Sequence, residues 1–360
     1  MTMRVAFVLP SFSGGGAERV VLTLLRVLDR SRVEPILVVL NGEGPLVPLV
    51  PPDVEGTDLG RPRLRQALPA LIGVLRKIRP DAVVSTLGYV NIALLAARPL
   101  LKGRPKLILR EANRPSVSIA AAPWPFAMRL AYRRLYPKAA AVLCNAGTTA
   151  DELHALIGVP HGRIVHLPNP VDAARLRTLA EPLLRESERG VRFVASGRLT
   201  RQKGFDRLVE MMAALPEDAR LVILGEGPDE AALKARIEAL GLHKRVRLAG
   251  FEPLPYARYG GADAFLLPSR WEGQANAALE ALALGTPVIA TPEAGGIAEV
   301  AAAAPPGAVT IAPAGEPFIA AMRGVRPDPP MLGPRPSLLP EGYAPEAVAA
   351  HLLQVLEGGA

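Results

Sequence analysis

Mainly apolar runs of four to six residues recur along the chain, separated by longer stretches of mixed polarity. One series comprises residues 4–9 (RVAFVL), 36–40 (ILVVL), 81–86 (DAVVST), 106–110 (KLILR), 141–144 (AVLC) and 164–167 (IVHL). A second comprises 191–196 (VRFVAS), 221–224 (LVIL), 246–251 (VRLAGF), 264–267 (AFLL) and 287–290 (PVIA). Such runs read as strands buried on both faces of a parallel sheet. The intervening stretches at 17–25, 64–79, 229–240 and 277–284 predict helices, the last stopping at Gly285. Residues 148–152 (TTADE) predict a capping-box start. Strand and helix alternate, which predicts doubly wound parallel sheets. Asn169-Pro170-Val171-Asp172 interrupts the alternation before it restarts. The expected domains are therefore residues 1–170 and 171–342, with a terminal helix within 343–360. Residues 301–342 are rich in Ala and Pro and read as a shortened stretch without a further strand and helix.

Polar residues gather where these strands end, the place at which open α/β sheets bind ligands. After the run 264–267 come a polar loop with Glu272 and Gly273, the helix carrying Glu280, and then Gly295-Gly296. Seven residues separate the two glutamates. In a continuous helix their carboxylates would stand about 12 Å apart, at roughly 1.5 Å per residue. A retaining-glycosidase pair needs about 5–5.5 Å. The wider spacing suits the two ends of a long ligand such as a sugar nucleotide, or two separately solvated carboxylates.

Three other stretches carry candidate chemistry. Residues 10–16 form a glycine-rich loop, with Gly15 and Gly16 opening a helix whose amides face an anion or simply make a turn. The pattern is not the GxGxxG of a dinucleotide site. Arg198 and Lys203 lie five residues apart in a glycine-bounded loop, as a diphosphate clamp or as ordinary surface cations. Arg110, Glu111 and Asn113 sit at a strand end, as a ligand-facing group or a local salt bridge. Residues 122–136 interleave aromatic and basic side chains, which fits a membrane-interface helix with Trp124 and Phe126 as anchors. It equally fits a helix packing its aromatics on the core.

The Glu272-x7-Glu280 signature, with residues 285–291 (GTPVIAT) and Gly295-Gly296, resembles that of glycosyltransferase family 4. So do the opening Gly-Gly-Ala-Glu-Arg of residues 15–19 and the Gly-Arg-Leu-x4-Lys-Gly of residues 197–204. The resemblance covers residues 1–300 and implies the GT-B fold, two Rossmann-like domains facing each other across a cleft. It implies retaining, metal-independent transfer of a hexose or N-acetylhexosamine from a nucleotide sugar, with UDP favoured, in cell-surface polysaccharide or glycoconjugate synthesis. By the same resemblance Glu272 orients the sugar, Glu280 holds the ribose, and Arg198 and Lys203 stabilise the leaving diphosphate. Gly273, Gln274, Asn276, Gly295, Gly296, Gly15 and Gly16 join the donor site. The family's usual Phe-Pro after Glu-Gly is replaced by Gln274-Ala275, which leaves the backbone amides there to serve the sugar. Arg110, Glu111 and Asn113 are similar to a Ser/Arg-Glu-x-Asn stretch of the branch that extends polyprenyl-diphosphate-linked oligosaccharides with N-acetylhexosamines. That places the three on the acceptor side. A sugar-nucleotide epimerase and a non-catalytic nucleotide-binding protein of the same fold are the alternatives.

Composition narrows the partners. The 360 residues include one cysteine, Cys144, which suits a reducing compartment. The net charge of +8 is uneven: residues 1–172 hold 22 Lys and Arg against 12 Asp and Glu, and the remainder 20 against 22. No RNA-binding or helix-turn-helix pattern accompanies the basic half, so an anionic membrane surface or a phosphorylated acceptor explains it better than nucleic acid. No window reaches the roughly 18 apolar residues of a membrane span, nor does the first run make a signal-peptide core. The expectation is a cytoplasmic protein, soluble or peripheral on the inner membrane face. The five histidines show no metal-ligand spacing, no Asp-x-Asp motif occurs, and no cofactor beyond the co-substrate is implied.

Overall fold

The computed structural model describes residues 2–13, 15–181, 190–327 and 335–358. Gly14 of the glycine-rich loop and residues 328–334 of the Ala/Pro-rich stretch lie outside the described residues. The chain divides into two units, residues 1–170 with 342–360, and residues 171–341.

The first unit runs β1 (Met3–Ser11), α1 (Gly16–Val27), β2 (Val33–Asn41), β3 (Glu55–Asp58), α2 (Leu64–Ile78), β4 (Ala82–Thr86) and α3 (Gly88–Ala97). It continues with β5 (Lys106–Glu111), α4 (Pro115–Ala120), α5 (Pro125–Leu135), β6 (Ala141–Cys144), α6 (Gly147–Glu152) and β7 (Ile164–His166). Its seven strands are parallel in the order β3-β2-β1-β4-β5-β6-β7. Apolar side chains leave both faces of each central strand. Along β1, Val5, Phe7 and Leu9 enter one core, while Ala6 and Val8 enter the other with Leu71 of α2 and Leu94 of α3. β3 escaped the sequence reading because its four residues, Glu-Gly-Thr-Asp, are polar and mostly exposed at the sheet edge.

The second unit runs α7 (Ala173–Leu179), β8 (Arg192–Ser196), α8 (Phe205–Met212), β9 (Arg220–Leu224), α9 (Glu230–Ala239), β10 (Val246–Gly250) and α10 (Tyr256–Gly261). Then come β11 (Ala264–Leu267), α11 (Asn276–Ala283), β12 (Val288–Ala290), α12 (Ile297–Ala303), β13 (Val309–Ile311) and α13 (Glu316–Gly324). The sheet is again parallel, ordered β10-β9-β8-β11-β12-β13. β13 and α13 correct the reading of residues 301–342 as a shortened stretch. The strand has three residues at a sheet edge, half-exposed to exposed, so it lacks a buried apolar run. The helix is anchored by the buried Phe318 and Met322.

The last helix, α14 (Pro345–Glu357), belongs to the first unit. Val348, Leu352 and Leu356 pack into the same core as Leu22 and Leu25 of α1. Glu357 pairs with Arg32, and Lys106 Nζ donates to the Leu356 carbonyl at 3.0 Å. The capping box expected at residues 148–152 does not form. α6 starts after Ala146 with no side-chain cap. Glu152 instead accepts from Arg114 Nε at 2.6 Å and from the Ser116 amide and hydroxyl at 2.8 and 2.9 Å.

If α14 is part of the first unit's core, Leu352→Ala should cost about 2–5 kcal/mol of stability. Urea denaturation followed by circular dichroism checks this, and a loss below about 0.5 kcal/mol would contradict the packing.

Candidate functional site

In the second unit the loops following β8 and β11 are fastened together around one carboxylate. Glu272 is 7% exposed, and a carboxylate removed from water must be paired and hydrogen-bonded. Lys203 Nζ meets its Oε1 at 2.5 Å, the Ser269 hydroxyl donates to the same oxygen at 2.8 Å, and Gln202 Nε2 reaches Oε2 at 3.4 Å. Further contacts hold the loops at that spacing. Arg270 forms a bidentate pair with Asp206, both bonds 2.7 Å, and its amide donates to the Gln202 carbonyl at 2.7 Å. Arg207 donates to the carbonyls of Pro268 and Ser269. Lys203 and Glu272 are thus brought together, two candidates 69 residues apart in sequence. Arg198 lies in the same loop as Lys203, exposed, its guanidinium without a hydrogen bond or ion pair to any described residue.

Gly295 and Gly296 join this arrangement through the backbone. Gly295 has φ of +65°, and a β-carbon there would collide with the carbonyl oxygens of Glu272 and Gly273. The Gly296 amide donates to the Gly273 carbonyl at 2.7 Å. Gly273 and Gln274 are buried beside them, while Asn276 and Glu280 lie half-buried on α11.

The first unit carries a second polar cluster at the ends of β4, β5 and β6. Arg110 is 3% and Glu111 is 2% exposed, yet they turn to different partners. Arg110 Nη2 donates to Asn169 Oδ1 at 2.5 Å, and Asn145 Nδ2 reaches the same oxygen at 3.4 Å. Arg110 Nη1 is buried without a hydrogen-bond partner. Burial pulls the Arg110 guanidinium down to about 10, against the opposing charges of Glu18 and Glu111, so it stays cationic at neutral pH. Glu111 accepts from Tyr136 at 2.5 Å and from Tyr132 at 3.2 Å. Desolvation pushes its carboxyl up to about 7, against those hydrogen bonds and Arg110. Asn113 is exposed and stays outside this buried group.

Glu18 was not among the sequence candidates. It lies in the first turn of α1, buried, with its carboxylate folded over Gly15, where a β-carbon would strike it. Burial raises its carboxyl, opposed by a backbone hydrogen bond and by Arg110. Its sequence signal is its place in the Gly-Gly-Ala-Glu-Arg stretch of residues 15–19. Gly16 is the first residue of α1. On α5 the aromatics divide: Tyr132 and Tyr136 are buried, whereas Trp124 and Phe126 are 78% and 83% exposed beside the exposed Arg129, Leu130, Arg133 and Arg134.

Residues 182–330 match the family model described as Glycosyl transferases group 1, and residues 14–175 the model of Glycosyltransferase Family 4. The chain is 28% identical over 303 residues to the N-acetylgalactosamine-N,N'-diacetylbacillosaminyl-diphospho-undecaprenol 4-alpha-N-acetylgalactosaminyltransferase of Campylobacter jejuni, covering 81% of each chain. It is 31% identical over 326 residues to the GDP-mannose-dependent alpha-mannosyltransferase of Mycolicibacterium smegmatis, covering 82% of this chain and 80% of the relative. Among solved structures, Anabaena HepE in complex with UDP superposes with a TM-score of 0.70 at 16% identity, over 99% of this chain and 97% of that one.

The Glu111 environment predicts a pH dependence. The folded protein keeps the Glu111 proton up to about pH 7, whereas an ordinary carboxyl loses it near 4.5. Between those values the unfolded chain binds fewer protons, so stability falls as pH rises through this window. Glu111→Gln should flatten that fall, by on the order of 1–3 kcal/mol across the window. Parallel urea titrations at pH 5 and pH 7.5 measure it; identical slopes in both proteins would contradict the buried, protonated carboxyl.

Proposed function

Because the chain belongs to glycosyltransferase family 4 and has the GT-B fold, we propose that it is a retaining, metal-independent transferase. Its donor would be a UDP-linked hexose or N-acetylhexosamine, and its acceptor a polyprenyl-diphosphate-linked glycan. The observation that carries the donor side is the buried Lys203–Glu272 pair, which holds a cation and a carboxylate side by side at the strand ends of the second unit. In this reading Lys203 and the exposed Arg198 take the diphosphate, with the α8 N-terminus adding backbone amides. Glu272 accepts from the sugar hydroxyls, Glu280 from the ribose, and the backbone around Gly273, Gln274, Asn276, Gly295 and Gly296 borders the sugar.

As the bond between the anomeric carbon and the phosphate oxygen breaks, the electron pair leaves with the diphosphate. Arg198 and Lys203 stabilise that growing charge. The acceptor hydroxyl forms the new bond on the face the phosphate leaves and passes its proton to the departing oxygen. Retention agrees with two relatives whose names specify alpha transfer, since the common UDP-hexoses and GDP-mannose are themselves α-linked. The acceptor assignment rests on the similarity to the undecaprenol-linked transferase, with the unpartnered Nη1 of Arg110 as the group available to an acceptor phosphate. Glu111 shapes that end of β5, Asn113 lies at its exposed side, and Gly15 and Gly16 start α1, whose Glu18 faces the charge of Arg110. A lipid-linked acceptor also calls for a membrane surface. Trp124, Phe126 and the α5 arginines supply an apolar and cationic patch for one, on the inner face of the cell membrane.

Lys203→Ala should cost about 3–5 kcal/mol of stability because it leaves Glu272 buried without its cation. Glu272→Ala and Lys203→Ala should each lower transfer by about 10²–10³-fold. Diphosphate release from single nucleotide sugars in the presence of a polyprenyl-lipid extract measures this, and wild-type turnover in either variant would sink the assignment. Trp124→Ala/Phe126→Ala should cut co-sedimentation with phosphatidylglycerol vesicles about tenfold, and high salt should weaken the remainder. A double variant that sediments like wild type would remove α5 from the membrane contact.

A further inference from the structure

A groove of about 1000 Å³ lies within the second unit, lined by the first three residues of β8, β9 and β10 together with α9 and α10. It is at the opposite ends of these parallel strands from the loops that hold Lys203 and Glu272. Seven Lys and Arg residues line it against two glutamates, Glu238 and Glu252. The unit as a whole is close to neutral, since residues 171–341 carry 20 Lys and Arg against 21 Asp and Glu. Positive charge has therefore been gathered locally.

Three of those cations are spoken for. Arg258 pairs with Glu252 at 2.6 Å, Lys234 with Glu230 at 2.6 Å, and Arg192 stands 3.8 Å from Asp263. The other four, Arg220, Lys244, Arg245 and Arg247, make no ion pair with any described residue. Their packing sets like charges together. Arg192 and Arg220 are register partners on adjacent strands, so both side chains leave the same face of the sheet, and like charges placed directly opposite destabilise a sheet. Arg245 is held in place by donating to the carbonyls of Met212 and Leu215 at 2.9 and 3.1 Å. Burial and then the charge of Arg220 pull its guanidinium down, against the opposing charges of Glu217 and Asp218. Arg247 and Lys244 are exposed at the mouth.

We propose that this groove is a second anion site, which binds a soluble ligand bearing a di- or triphosphate. Four cations without an ion pair call for several negative charges on one ligand. Guanidinium groups match phosphate oxygens in paired hydrogen bonds, and Lys244 adds a point charge. The volume is that of a small-molecule pocket. Because the groove is concave and recessed against strands, a flat bilayer surface meets only its rim. The ligand occupies the N-terminal strand ends, so it binds together with the nucleotide at the C-terminal ends rather than in competition with it.

Inorganic tripolyphosphate is the probe, titrated calorimetrically into the full chain at physiological salt. The variant Arg198→Ala/Lys203→Ala removes the donor-side cations and should retain one saturable site with affinity within about twofold of wild type. Lys244→Glu/Arg247→Glu, both at exposed positions, should weaken that site at least tenfold while leaving UDP binding and melting temperature unchanged. Full tripolyphosphate binding in the Lys244→Glu/Arg247→Glu protein would overturn the proposal. So would loss of all binding in the Arg198→Ala/Lys203→Ala protein, or binding of poly-glutamate or phosphatidylglycerol vesicles through Lys244 and Arg247 when tripolyphosphate does not bind. A failure of this test leaves the donor reading intact, because that reading is judged by UDP binding and sugar transfer.

Discussion

A buried carboxylate is costly unless a cation and hydrogen-bond donors surround it, and Glu272 meets that demand with Lys203, Ser269 and Gln202. The rest of the second unit's strand-end structure follows from this one pairing. Lys203 must arrive from the loop after β8, so that loop is strapped to residues 268–274 by Arg207 and by the Arg270–Asp206 fork. Gly295 must be glycine because the backbone carrying Glu272 passes where a β-carbon would be. The result is a cation and an anion held rigidly within hydrogen-bond distance, one suited to phosphate oxygens and the other to hydroxyls. A sugar nucleotide presents those two kinds of group along one molecule.

The strands were legible wherever an apolar run is buried on both faces, as at residues 4–9 and 264–267. Edges were not. β3 carries Glu55 and Asp58 on an exposed strand, and β13 has three residues outside the buried core, so neither offers the pattern on which the reading depends. α13 depends on Phe318 and Met322 entering a core built by other elements, which no local periodicity reveals. In the site, Glu272 and Lys203 were legible as motif positions, and their mutual pairing was not. Arg110 and Glu111 were legible as a polar doublet. Their separate fates, one with Asn169 and one with two tyrosines, are properties of tertiary packing. The Tyr132 and Tyr136 that hold Glu111 come from the same stretch as the exposed Trp124 and Phe126, and only the fold separates the two pairs.

Charge is distributed along the chain in two different ways. The first unit has a broad excess of Lys and Arg, whereas the second is nearly neutral and concentrates its cations at its two strand ends. At one end Lys203 is balanced by Glu272. At the other, Arg220, Arg245 and Arg247 make no ion pair with a described carboxylate, and Glu217 and Asp218 act on Arg245 only from a distance. Paired charge fixes geometry at the Lys203–Glu272 end, and the other end gathers cations without ion pairs.

In the proposed reaction Glu272 reads the sugar while Lys203 reads the diphosphate. Calorimetric affinities of Glu272→Gln for UDP and for the accepted UDP-sugar test it most directly. The variant should lose affinity for the UDP-sugar and bind UDP as well as wild type or better, because Lys203 is released from its partner. Equal weakening toward UDP and the UDP-sugar would contradict it and make Glu272 a purely structural partner of Lys203.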